Sequence, residues 1–252
     1  MKYGVQLFSL RKYLKDEDSY REVFERVKSL GAEVVQISCT MGSAVGAKTL
    51  ASVSAEFELP ICVTHSPYQR IVNDIDRLAE EHLVFGCKEI GIGMMPKEFR
   101  KDDFATLYAF VDSLNVASEK LQKYGLSVAY HNHWFEFDKK DGKRVFDTLI
   151  ENTQPGVRFI PDVFWIKVGG EDPSEFLKKL DGRVKTLHLK DYKKTLGLPV
   201  FRAPGKGTLD FDSIIDTAKN IGVENAVVEI DLSPNPWKSV EDGIEYLERY
   251  KK

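Results

Sequence analysis

The sequence predicts an α/β fold, a single (β/α)₈ barrel running over residues 1–252. Three observations predict it. Short apolar runs alternate strictly with longer amphipathic ones, eight of each. Runs such as Val34-Val35 and Val227-Val228 are continuously apolar, as strands buried on both faces should be. A chain of 252 residues suits one closed barrel. A doubly wound sheet rarely uses eight equal units, and no GxGxxG follows the first run.

The elements follow in order. Tyr3–Phe8 is the first strand. Ser19–Leu30 is the first helix, with Tyr20, Val23, Phe24, Val27 and Leu30 at helical spacing and Gly31 closing it. Then come strand 34–37, helix 45–57, strand 60–64, helix 71–85, strand 89–92 and the long helix 104–124. The second half repeats the rhythm. It gives strand 126–130, helix 145–151, strand 157–160, and helix 173–180 with Pro173 in its first turn. Strand 184–189 leads to helix 211–221, capped by Asp210 and closed by Gly222. Strand 226–230 and helix 240–250 end the series. Residues 192–207, rich in Gly and Pro, read as the longest loop, and long loops often line a site.

Composition narrows the function classes. Apolar residues make up 42% and charged residues 30%, which is ordinary for a soluble domain. A net charge of −3 gives no basic footprint for nucleic acid. No apolar run reaches the roughly 18 residues of a membrane helix. The N-terminal stretch reads as a strand rather than a signal peptide, so a cytoplasmic protein is expected. Cys39, Cys62 and Cys87 lie in or beside apolar runs and are expected to be buried, reduced and free of metal, since none makes a CxxC pair.

In such a barrel, chemistry sits where strands end. Gln6 ends the first strand, with Ser9 and Arg11 beyond, and Gln36 and Ser38 end the second. His65 ends the third and Gly93-Met94-Met95 the fourth. The fifth ends in His131-Asn132-His133 with Glu136 close by. Asp162 ends the sixth, His188 the seventh with Lys190 and Asp191, and Glu229 and Asp231 the eighth. Four of the five histidines fall at these ends. His82, in a helix, is expected at the surface. Each rim histidine alone reads as a hydrogen-bonded structural residue; four on one rim, joined by carboxylates, suit a divalent transition metal. His131, Asp162, His188 and Glu229 are the expected ligands. Two nitrogens and two oxygens suit Mn, Co, Fe or Zn better than Ca. The metal would act as a Lewis acid on a carbonyl or enediolate, with His133, Glu136 or Lys190 moving a proton.

Six segments in order carry a resemblance: GVQLFSLR, YHNHWFEF, PDVFWIKVGGEDP, GRVKTLHLKD, APGKGTLDF and VVEIDLSP. With these the chain resembles the xylose isomerase-like TIM barrels described as sugar phosphate isomerases/epimerases. The resemblance implies a divalent metal on strands five to eight, usually held by Glu, Asp, His and Glu. Asp162, His188 and Glu229 match the last three, and His131 stands where the first glutamate is expected. This His/Asn/His variant leaves His131, His133 or Glu136 as first ligand. It also removes a negative charge, which disfavours Mg²⁺. The implied chemistry is proton abstraction beside a carbonyl of a sugar or polyol through an enediolate, stabilised by the metal and Lys190. Isomerisation, epimerisation, dehydration of a keto-inositol and cleavage of 3-keto-glycosides are its outcomes, with isomerase or epimerase the first expectation. Glu229 would serve as both ligand and base. Gln6 and His65 would hold substrate hydroxyls. Trp134 and Trp165 would stack on a sugar ring or close the barrel top as packing residues. Arg11 and Arg202 would bind a phosphate or carboxylate. A homodimer is expected by analogy alone. A multi-metal endonuclease, which would need more ligands and a basic face, and a non-catalytic sugar-binding barrel are the competing classes.

Overall fold

The computed structural model describes residues 1–38, 45–100, 104–140 and 142–251. Cys39 lies outside the described residues. Eight parallel strands form the barrel: β1 (Lys2–Gln6), β2 (Val34–Ser38), β3 (Ile61–His65), β4 (Glu89–Ile92), β5 (Ser127–His131), β6 (Arg158–Ile160), β7 (Thr186–Leu189) and β8 (Asn225–Val228). Sequence neighbours pair from β1 to β6 and from β7 to β8, and β8 pairs with β1. Parallel bridges Phe159–Val184 and Asp162–His188 join β6 to the β7 side and close the ring.

Strand side chains alternate between two cores. Val128, Tyr130, Leu187, Leu189, Val228 and Ile230 pack outward into the layer shared with the helices. Val63, Ala129 and Ile160 form a separate cluster inside the barrel. With a period of two, the face that carries Ala129 also carries His131, the face of Ile160 carries Asp162, and the face opposite Leu187 and Leu189 carries His188 and Lys190. The polar strand ends are thus set on the inner face by the same alternation that buries the apolar residues.

Several elements depart from the sequence reading. The first helix is Glu17–Ser29, beginning before its first periodic apolar residue because Asp16 caps it: Asp16 accepts from Ser19 N at 3.0 Å and Ser19 Oγ accepts in return. The stretch 71–85 is two helices, Tyr68–Asn73 and Ile75–Val84, separated at Asp74, whose φ of −141° leaves the helical region. His82 is a correction: it is buried, not on the surface. It lies one turn after Leu78 on the inward side, its Nδ1 2.7 Å from Leu78 O and its Nε2 2.8 Å from Thr64 Oγ1. Burial pulls its pKa down to about 4.

Residues 192–207 are not a simple loop. Asp191–Thr195 and Leu198–Arg202 form an antiparallel ribbon whose turn, Leu196-Gly197, has positive φ at both residues. A second ribbon pairs Lys139–Lys140 with Lys143–Arg144. Both are mostly exposed or half-buried, so no hydrophobic alternation marks them. Cys62 is half-buried and Cys87 buried, and the Cys87 thiol donates to Glu89 O at 3.3 Å.

Candidate metal and substrate site

The end of β5 is built by its own motif. Asn132 Oδ1 accepts from Asp162 N at 3.0 Å, tying the end of β5 to that of β6. Glu136 uses both oxygens: one takes the Tyr130 hydroxyl, the other His133 N at 2.8 Å. Burial raises the Glu136 pKa to about 7. Its carboxylate therefore holds the turn 130–136 in shape and does not line the cavity. Asp162 caps the short helix Val163–Val168, its Oδ1 accepting from Phe164 N at 2.9 Å and Trp165 N at 3.3 Å. That fixes Oδ2 toward Lys190 Nζ, 3.0 Å away.

Lys190 is fully buried and is the hub of the site. Its ammonium meets Asp162 at 3.0 Å, Glu229 at 3.1 Å, and Asp231 closer still. Burial alone would lower its pKa, but the three carboxylates hold it above the ordinary lysine range. Burial pushes the Asp162 pKa up to about 6 and also raises Asp231. For Glu229 the same burial is outweighed by Lys190 and His188, which keep it well below the usual carboxylate range. Three carboxylates facing one ammonium leave a surplus of negative charge in a dry place, and no further lysine or arginine among the described residues pairs with them.

That surplus fits a divalent cation, and so does the donor set. His131, Asp162, His188 and Glu229 each offer a ligand atom, all within 4.8 Å of one another. Two of the histidines, His131 and His188, are each held by the nitrogen turned away from the cluster, the arrangement a ligating histidine needs. His131 Nδ1 is 3.1 Å from Ile160 O, which directs its other lone pair inward. His188 Nε2 is 2.6 Å from Gln36 Oε1, while its Nδ1 faces Glu229 at 3.0 Å and Asp162 at 3.9 Å. Burial lowers His131 well below the ordinary imidazole value and brings His65 and His133 to about 3, so all three are neutral and available as donors or ligands.

A cavity of about 280 Å³ opens beside this cluster, near the lower end of ligand-sized pockets. His65, His131, His133, Glu229 and Asp231 line it, together with apolar Phe8. Trp165 stands behind, 5.6 Å from Lys190 Nζ and 5.1 Å from the half-exposed Trp134, so the two indoles form a wall outside the cavity lining. Gln6 is committed to Phe8 N and His65. Arg11 donates to Phe8 O at 2.8 Å and Asp231 O at 2.9 Å. Arg202 pairs with Asp191 across the ribbon and donates to Phe201 O, away from the cavity. Two site residues escaped selection from sequence. Asp231 and Gln36 stood among the strand-end polar groups, but nothing in the sequence ranked them above their neighbours.

Fold and site together define a (β/α)₈ barrel with a metal-type cluster at the C-terminal ends of its strands. The chain belongs to the xylose isomerase-like TIM barrel family, whose model matches residues 24–250. An inosose dehydratase of Geobacillus kaustophilus is 27% identical over 163 residues, 56% of this chain and 52% of that protein. The chain spans about half the length of the curated relatives it matches. Among solved structures, a sugar phosphate isomerase/epimerase of Parabacteroides distasonis superposes with a TM-score of 0.84 at 22% identity, over 99% of this chain and 94% of that one. The IolI protein with a bound zinc atom superposes with a TM-score of 0.71 at 16% identity, over 99% and 96%. Among the described residues no helix is long and apolar enough to cross a membrane.

Proposed function

We propose that this chain is a divalent-metal enzyme that removes a proton beside a carbonyl of a sugar or keto-polyol. The observation that carries the reading is the convergence of His131, Asp162, His188 and Glu229 on one another beside the cavity, whose wall includes His131 and Glu229. A cation held by these four, zinc, manganese, cobalt or iron before magnesium, supplies a Lewis acid for adjacent substrate oxygens.

The chain's own groups do the rest. Glu229 stays ionised because Lys190 lies beside it, and its Oε2 is the oxygen committed to Lys190 and His188. Its Oε1 lies outside those pairs and takes the carbon-bound proton. Lys190 offsets negative charge as it develops in this desolvated place. His133 has a buried Nδ1 without a hydrogen-bond partner among the described residues, and it holds a substrate hydroxyl. Trp134 and Trp165 exclude water from that side.

Return of the proton to the former carbonyl carbon gives isomerisation, and its return to the opposite face of the original carbon gives epimerisation. Loss of a hydroxyl gives dehydration instead, a second reading favoured by the relatives named inosose dehydratase. The test is NMR in D₂O with the manganese- or zinc-loaded protein and a panel of ketohexoses and keto-inositols. Deuterium is expected to enter the carbon beside the carbonyl, and Glu229→Gln to slow this by about 10²-fold or more. A new epimer or aldose identifies the first outcome and water loss the second. Exchange into no candidate, or full activity in Glu229→Gln, would sink the proposal.

A further inference from the structure

Two overlapping sets of side chains in the site have cation-holding geometry. One is His131, Asp162, His188 and Glu229; the other is His65, His131 and His188. The position of one proton on His65 decides between them.

Gln6 fixes that proton. Its Oε1 accepts from Phe8 N at 3.2 Å, so the amide cannot be turned round without placing two donors face to face. Its Nε2 is therefore the atom 3.4 Å from His65 Nδ1. An amide NH₂ only donates, so Nδ1 must accept. A buried neutral imidazole then carries its hydrogen on Nε2. That Nε2 is buried and has no hydrogen-bond partner among the described residues, while His65 lines the cavity. A buried donor left unpaired is costly unless something else accepts from it. The ring is also held in place. A Cβ on Gly93 would come within 2.9 Å of His65 Nδ1, and one on Gly91 within 3.2 Å of its Cδ2, so the two glycines of the β4 end make room for the imidazole in this pose. His188 is set the opposite way, with a glutamine carbonyl on its Nε2 and its Nδ1 turned to the carboxylates.

We propose that Gln6 locks His65 as a neutral Nε2–H donor that grips an oxygen of the bound sugar or keto-polyol, and that His65 is not a metal ligand. This rests on the reading of the cavity as a sugar-type site. His65 gives a hydrogen bond to the oxygen on which negative charge develops and keeps its proton throughout. Gln6 is a positioning residue, acting only through His65.

Long-range ¹H–¹⁵N NMR of the metal-free protein reads the tautomer directly, with His65→Ala assigning the signal. The Nε2–H form is expected in the parent. In Gln6→Glu the new carboxylate still accepts from Phe8 N and now also accepts from His65, so Nδ1 is expected to become protonated. Gln6→Met, which neither donates nor accepts, is expected to show no fixed preference. A loss of packing alone would not reverse the tautomer. An Nδ1–H form in the parent, or no response to Gln6→Glu, overturns the proposal. Zinc competition titration is the second arm. His65→Ala is expected to bind within about threefold of the parent and His131→Ala at least about tenfold more weakly. A tenfold loss in His65→Ala makes His65 a ligand and overturns the proposal. If His131→Ala keeps full affinity, the metal reading fails instead, while the tautomer measurement still stands on its own.

Discussion

In the proposed ligand set His131 places a neutral imidazole where the family resemblance leads one to expect a carboxylate, and the difference in charge has a consequence for metal choice. Its pKa lies well below the ordinary value because the ring is buried, so it brings no charge of its own. His131→Glu is expected to shift preference toward hard, oxygen-seeking cations, raising Mg²⁺ or Mn²⁺ affinity by roughly tenfold relative to Zn²⁺ in calorimetric titration. An unchanged ratio would show that His131 does not touch the metal. Lys190 is the converse case. Lys190→Met leaves Asp162, Glu229 and Asp231 facing one another without their ammonium. The metal-free protein is expected to lose about 3–5 kcal/mol in urea denaturation, with added Zn²⁺ restoring part of it. Equal losses with and without zinc would mean that the cation does not bind at these carboxylates. Asp162, His188 and Glu229 were legible in the sequence because isolated polar residues ending apolar runs are costly to bury and must have partners. Glu136 was legible as part of the motif but not in its role, since only coordinates show Tyr130 and His133 N occupying both of its oxygens.

At the scale of elements, the ribbon 191–202 is the clearest case of structure hidden from sequence patterning. It is organised from one buried carboxylate rather than from an apolar face. Asp191 Oδ1 accepts from Tyr192, Thr208 and Leu209 N, and Oδ2 from Gly207 N. A Cβ on Gly207 would lie 2.3 Å from Asp191 Oδ1, so this approach requires glycine. Asp191→Ala is expected to cost roughly 3 kcal/mol and to speed hydrogen exchange across residues 192–209. Unchanged exchange there would mean the carboxylate does not order the loop. The ribbon's turn makes a second expectation. Leu196 has a φ of 51° and is 99% exposed, a left-handed position that suits Asn far better. Leu196→Asn is expected to stabilise by roughly 0.5–1 kcal/mol, read as a higher melting temperature, with metal affinity untouched. The division of 71–85 into two helices was likewise invisible to periodicity, because apolar spacing continues across Asp74 while the backbone does not.

At the scale of the whole molecule, the barrel was legible because eight alternations leave few other closed arrangements, and the inner-face alternation then assigns the site to one end. The opposite end holds a group that no pattern revealed. Glu89 begins β4 and is buried, with Thr186 Oγ1 3.4 Å from Oε2, Arg158 Nε a distant 3.9 Å from Oε1, and Oε1 without a hydrogen bond among the described residues. Burial raises its pKa to about 7 against the opposing pull of Arg158. The sign follows from proton counting. Between the ordinary carboxylate value and about 7 the folded protein holds this proton and the unfolded chain has released it, so the contribution of Glu89 to stability falls as pH rises through that window and is flat above it. The full difference is on the order of 3 kcal/mol. Glu89→Gln keeps an acceptor for Thr186 and removes the titration. In urea unfolding the variant is expected to match the parent near pH 4.5 and to exceed it progressively up to about pH 7. Other titrating groups cancel in the difference between the two proteins, so a difference that does not change with pH would show that Glu89 is ionised in the folded barrel throughout.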